Sequence, residues 1–500
     1  MQLKFEKKIC RYLDPAVWDV QTQELTQEIR LPEGMPDASR VICAWGQMIL
    51  RSKEWLGDTM VLSGGVMAWV LYAPEDGSEP RCLDAWLPFR MKWELPDGIR
   101  EGDIRAEGLL RFVDGRNVSP RKILVRAGAA VLGEALTPGE AEVYMPMECP
   151  QEVSLLKRTY PVRLMREAGE KSFQLDEELT LPESMPKPAK LLCCTVCPEI
   201  TEQKVTANKA VFRGNGNLRL LYVSDGGQVH GWEMELPFSQ LAQLDGDYTQ
   251  DAQTDVRMFV TNLESELDDE GHFRIKCGLV GQYLVDDQEL LELVEDAYSV
   301  GRDTDIERRE LRLPALLERR TENIAAEQII PMEADLVADC RFLPDFPRRH
   351  RGENGVQWEL PGVFQVLCYE EHGLLRGTTA RWEGKLSVPA DEESILFGTM
   401  GDFDNPQTDL GESGLRIRAD GRFWIRTLSG KGLPMVTAVT LGEKKPMDPH
   451  RPSLILRRAG EDDLWNLAKK CGSTVEAIQE ANGLQEEAAP DRLLLIPVLT

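Results

Sequence analysis

At 500 residues the chain is too long for one ordinary core and predicts roughly three or four domains. Its 42% hydrophobic and 28% charged residues suit buried cores and exclude a disordered or fibrous chain. A net charge of −26 argues against nucleic acid or an anionic membrane surface as partner, since both call for a basic face, and fits solubility or a basic protein partner.

The opening stretch, "MQLKFEKKICRYLDPAVWDV", lacks the apolar core of a signal peptide, and no window approaches the uninterrupted apolar length of a transmembrane helix. Eleven cysteines spread thinly do not form a secreted disulfide framework. The expectation is a soluble, cytoplasmic protein with no membrane insertion.

The chain repeats itself. "ELTQEIRLPEGMP" (Glu24 to Pro36) recurs as "DEELTLPESMP" (Asp176 to Pro186), with Leu31-Pro32 and Leu181-Pro182 separated by 150 positions. "VMAWVLYAPEDG" answers "NLRLLYVSDGG", matching Tyr72 to Tyr222, and "LPF" at Leu87 answers "LPF" at Leu236. A third, divergent copy carries "FQVLCYEEHG" (Phe364 to Gly373) as the Tyr-turn element, and "DGRFWIRT" (Asp420 to Thr427) mirrors "EGHFRIKC" 150 positions earlier. These matches divide the chain into residues 1–150, 151–310, 311–448 and 449–500, with "LGEKKPMDPHRP" (Leu441 to Pro452) as the clearest linker.

Within a copy the dominant period is two. In "KILVRA", Ile123 and Val125 face one way, and in "RFWIRT" Phe423 and Ile425 do the same. "EDG", "SDGG" and "ADG" read as turns between strands. The predicted fold is mainly β: tandem antiparallel sandwich-like repeats, then a small α/β unit.

No catalytic or metal site is expected. "CCTVC" offers Cys194 and Cys197 as C-x-x-C, but a zinc site needs further ligands, and the surrounding "KLLCCTVC" reads as a buried strand. "RGNGNLRL" runs into a strand rather than a helix, so it cannot aim a helix N-terminus at phosphate. "SGKG" (Ser429 to Gly432) lacks the rest of a P-loop, "ELDDEGH" reads as a solvated turn, and the basic "FPRRHRG" (Phe346 to Gly352) as an exposed loop. The five histidines are scattered. A hydrolase hidden in one repeat would require a carboxylate pair at catalytic separation in a cleft, with a raised pKa.

From Ser453 the pattern changes to β-α-α-β. "SLILRRAG" is a strand. Asp462 or Asp463 caps a helix that buries Leu464, Leu467 and Ala468, carries Lys469 and Lys470 in its last turn and stops at Gly472. Ser473 or Thr474 caps a second helix, with Glu476 completing a capping box from Ser473 and Val475, Ala477 or Ile478, and Ala481 buried. "DRLLLIPV" closes the unit as a strand.

This unit resembles the LysM family in "DDLWNLA", "TVEAI", "ANGL" and "LLIP". The resemblance implies binding of N-acetylglucosamine polymers, as in peptidoglycan, through Gly460, Glu461, Asp462 and Asp463 before helix one and Asn482, Gly483 and Leu484 after helix two. "E-D-D" replaces the family's "G-D-T", placing carboxylates where a neutral sugar needs close contact. That acidic lip suits a protein partner better, and Trp465 reads as core. The preceding repeats, with "LY", "LPF" and "PRKILVR", resemble the SPOCS family. Together the layout resembles spore-coat morphogenetic proteins of the SipL/SpoVID type, the clostridial arrangement being nearer. The resemblance implies a non-enzymatic scaffold in the mother-cell cytoplasm, without cofactor. Its LysM would dock to the coat basement-layer ATPase on the forespore surface while the repeats recruit other coat proteins. Peptidoglycan binding by the LysM is the alternative.

Overall fold

The computed structural model describes residues 2–3, 5–146, 152–352, 355–370, 373–411, 413–446, 450–458, 463–484 and 493–499. The chain is mainly β, in several small antiparallel sheets.

The first repeat has six strands: β1 (Phe5–Arg30), β2 (Ala38–Leu56), β3 (Thr59–Pro74), β4 (Arg81–Glu94), β5 (Asp103–Ser119) and β6 (Lys122–Pro146). They form two sheets, ordered β1-β6-β5 and β2-β3-β4. Alternation places Ile123, Val125 and Ala127 of β6 inward against Val66, Ala68 and Val70 of β3, so the two sheets close over one core. The second repeat copies this plan strand for strand: β7 (Val153–Thr180), β8 (Pro188–Thr206), β9 (Lys209–Ser224), β10 (Val229–Gln243), β11 (Gln253–Leu267) and β12 (His272–Ser299), ordered β7-β12-β11 and β8-β9-β10.

The paired motifs are physically joined. The hydroxyl of Tyr72 donates to the Pro36 carbonyl at 3.2 Å, and Tyr222 does the same to Pro186 at 3.2 Å, so each Tyr pins the Pro-rich turn of its own repeat. The Phe of each "LPF" lies over a glycine across its hairpin. A Cβ at Gly214 would meet the Phe238 ring at 2.8 Å and the Glu199 carbonyl oxygen at 1.9 Å. The glycines of "RGNGNLRL" therefore serve strand packing.

The third repeat keeps the pairing plan with its long strands interrupted. β13 (Arg302–Leu311) and β14 (Leu316–Ile330) pair with β22 (Leu433–Lys444) and β21 (Gly414–Ser429) respectively, as β1 pairs with β6 in one piece. β19 (Ser394–Phe403) and β20 (Gln407–Gly411) flank β21, while β15 (Leu336–Pro344), β16 (Arg348–Gly352) and β18 (Leu374–Pro389) surround β17 (Gly355–Glu370).

Four expectations about this copy are corrected. "DGRFWIRT" does not match "EGHFRIKC": Asp420 and Gly421 lie inside β21, and the strand's first buried residue, equivalent to Phe273, is Leu415. An even slip of eight positions leaves every side chain on its expected face, so alternation alone cannot detect it. "ADG" is accordingly not a turn; Gly421 makes room for the Phe403 ring, which a Cβ there would meet at 2.4 Å. Buried Cys368 takes the Tyr72 position, while Tyr369 points outward and its hydroxyl accepts from the Val229 amide at 2.7 Å. "FPRRHRG" is not a loop either: Arg348–Gly352 is an exposed hairpin strand on β17.

Equivalent positions of the three repeats touch one another, as they would around an approximate threefold axis. Eleven residues beyond Ile123, Phe273 and Leu415 stand Glu134, Leu284 and Arg426. Their neighbours on the flanking strand are Arg105, Asp255 and Phe397. The fully buried Glu134 carboxylate receives Arg105 of its own repeat at 3.2 Å, Arg257 of the second at 3.3 Å and Arg426 of the third. Arg105 also binds Asp255 at 2.8 Å, and Arg257 and Arg426 both lie over the Trp18 ring. Burial alone would raise the Glu134 carboxyl, but Arg426, Arg257 and Arg105 outweigh it and hold it below the ordinary range. Glutamine amides stitch the remaining strand edges: Gln47 accepts from the Val196 amide, Gln282 brackets Ala106, and Gln365 donates to the Ala44 carbonyl.

Glu134→Ala leaves three guanidinium groups facing one another in a dry site. A loss of about 3–5 kcal/mol is expected, read as an earlier chemical-denaturation midpoint, whereas Glu28→Ala at the exposed partner of Lys122 should move it little.

Candidate docking site on the terminal module

The module consists of β23 (Leu454–Arg458), α1 (Leu464–Cys471), α2 (Val475–Asn482) and β24 (Leu493–Pro497), with β23 and β24 paired antiparallel. Asp463 caps α1, its carboxylate accepting from the Asn466 amide at 2.7 Å, and Gly472 ends the helix at φ 67°. Thr474 caps α2 through the Ala477 amide. That choice of cap places Glu476 one position short of a capping box, so the box expected from Ser473 does not form. Leu464, Leu467, Ala468 and Ile478 are buried as expected, but Ala481 is exposed, because the short α2 turns only Ile478 fully inward.

Of the residues expected to contact a partner, Gly460, Glu461 and Asp462 lie outside the described residues. The other four take part in the module's own structure. Asp463 is the cap. Asn482 donates to the carbonyls of Ile478 and Leu495 and accepts from the Leu495 amide, tying α2 to β24. Gly483 holds the left-handed conformation that closes α2 at φ 61°, and Leu484 packs partly buried against the core. The sheet face turned away from the helices carries Leu454, Leu456 and Leu493, each at least half exposed.

Trp465 is buried as expected, and its indole N–H donates to Asp296 on β12 of the second repeat at 2.8 Å. Lys469 reaches the same carboxylate at 2.6 Å, and Arg308 of β13 binds its other oxygen. Tyr298 meets the Trp465 ring edge-on at 4.8 Å between centroids, and its hydroxyl donates to the Ser473 carbonyl at 2.9 Å. Burial would raise the Asp296 carboxyl, but the bonds from Lys469 and Trp465 bring it below its usual value. Leu156 and Val300 complete the seat. The expected linker takes part too: Leu441 to Lys444 end β22, and Lys445 binds the carbonyls of Gly301 and Ser299. Asp296 and Tyr298 carry no sequence signal, since "VEDAYS" reads as any strand end; only the unusual pairing of an inner-face tryptophan with an N–H to satisfy hinted at a partner.

Elsewhere, a cleft of about 590 Å³ opens near the approximate axis, lined by the second and fifth strands of all three repeats. It holds a carboxylate pair, Glu199 and Asp402, the latter pushed up to about 7 chiefly by burial and then by Glu199. Arg422 reaches both members, binding Glu199 and standing 4.0 Å from Asp402. Cys194 is buried while Cys197 is exposed, on opposite faces of β8, which prevents the two from chelating one ion.

Asp296→Ala strands the Trp465 N–H and the Lys469 ammonium, at a cost of about 1–3 kcal/mol. The expected result is release of the module, measured as faster proteolysis within residues 445–452 and a red-shifted tryptophan emission.

Among the described residues no helix is long and apolar enough to cross a membrane. Residues 188–268, from β8 through β11, match the family model described as SipL, SPOCS domain. No curated protein and no solved structure matches the chain. The matched segment lies within a repeat whose strand pairing the first repeat reproduces, and it supports a SipL-like, sporulation-related coat protein.

Proposed function

We propose that the chain is a non-enzymatic scaffold of spore-coat assembly, made in the mother cell, that docks through its LysM-like terminal module to the coat basement-layer ATPase while its repeats hold other coat proteins. The observation that carries this reading is the SPOCS match at residues 188–268. The β-α-α-β order of the terminal module and the axial packing of three repeats into one body agree with a platform that presents a small docking unit. The carboxylates of "E-D-D" and the exposed leucines of the outer sheet face both favour a protein surface over a neutral sugar.

The full-length chain is the correct reagent, because the module is seated on the second repeat. Pull-down by the purified ATPase, set against co-sedimentation with insoluble peptidoglycan, separates the two partners. Capture by the ATPase alone is expected; sedimentation with peptidoglycan alone would replace the scaffold reading with a wall-binding one. Leu456→Glu and Glu461→Lys are expected to weaken capture at least tenfold with the fold intact. Asp463→Lys also removes a helix cap at about 1 kcal/mol and so reports stability as well as docking.

A further inference from the structure

Glu199 stands on β8 of the second repeat and Asp402 on β19 of the third, so the pair spans the seam between two repeats along one wall of the axial cleft. Arg422 of β21 is committed to Glu199 and lies 4.0 Å from Asp402. The first repeat presents Glu107 of β5, held by Thr399 at 2.6 Å and lying 3.9 Å from Arg257 of β11.

The other cations of the lining are spoken for. Arg219 of β9 binds Glu233 of β10 and Asp339, Arg341 of β15 binds Asp339, and Arg257 binds Glu134. Cys197 of β8, also on the lining, adds no positive charge to this wall. Asp404, next to Asp402 on the same wall, adds a further negative charge. Asp402 therefore faces carboxylates from two other repeats with a share in one guanidinium.

We infer that Glu199 and Asp402 form a proton-operated latch on the seam between the second and third repeats: one proton on the pair keeps the seam closed, and its loss sets two carboxylates against each other and loosens the wall of the axial cleft. Burial and the Glu199 charge lift Asp402 to about 7, with Arg422 opposing. Because the folded value lies above the unfolded carboxyl value of about 3.9, the stabilisation is complete below that value. It is lost as pH rises toward about 7 and does not change further above it, with a limiting slope of about tenfold per pH unit in the closed-to-open ratio.

Hydrogen exchange of the full chain, corrected for intrinsic rates, tests this between pH 5.5 and 8.5. Peptides from β8 and β19 of the wild type should open about 25-fold more often at pH 7.5 than at pH 5.5, and Asp402→Asn should hold them at the protected level throughout. Glu199→Gln, which removes the repulsion and frees Arg422 for Asp402, should lower the Asp402 value and shrink the pH dependence over the same window. If Asp402→Asn does not fold, the Glu199→Gln arm decides alone. Equal pH dependence in wild type and the variants, or opening spread evenly over all three repeats, would overturn the latch.

Discussion

One buried carboxylate organises this chain. Glu134 has no route to water and is neutralised by guanidinium groups from three different repeats, so no pair of repeats can satisfy it without the third. A buried charge of this kind adds little net stability compared with a well-packed apolar contact, but removing any partner is costly. Its value lies in discrimination. Three identical repeats would bring like side chains together on the axis, whereas Glu134, Leu284 and Arg426 at one equivalent position, with Arg105, Asp255 and Phe397 at the next, assign each repeat a single place. The divergence among the copies is thus the means by which they assemble.

The plan of the first two repeats was legible because their motifs contact each other directly. A Tyr that bonds its own Pro-rich turn and a Phe that needs a glycine beneath it leave the same letters at the same spacing. The third repeat was harder to read because it satisfies the same pairing with broken strands, a Cys in the Tyr position and a strand shifted by an even number of residues. Alternation reports which face a residue takes, not how far along the strand it sits.

The terminal module was readable in its caps and core, since helix ends are governed by nearest neighbours such as Asp463, Gly472 and Thr474. Its seat was not, because Asp296 and Tyr298 lie far away in sequence and acquire meaning only when the fold brings β12 to Trp465. The candidate contact residues showed a similar division. Sequence placed Asp463 and Asn482 at the right ends of the helices but could not show that their side chains are engaged inside the module.

The closed arrangement around the axis has a consequence for how large assemblies could be built from this chain. Stacked solenoids grow by adding a further repeat to an open end, so their length is a free variable. Here Gln47, Gln282 and Gln365 each tie two different repeats together, and the buried Glu134 carboxylate already draws on all three. The buried charge cluster closes on three repeats. The three repeats therefore make one indivisible tile rather than a segment of an extendable array.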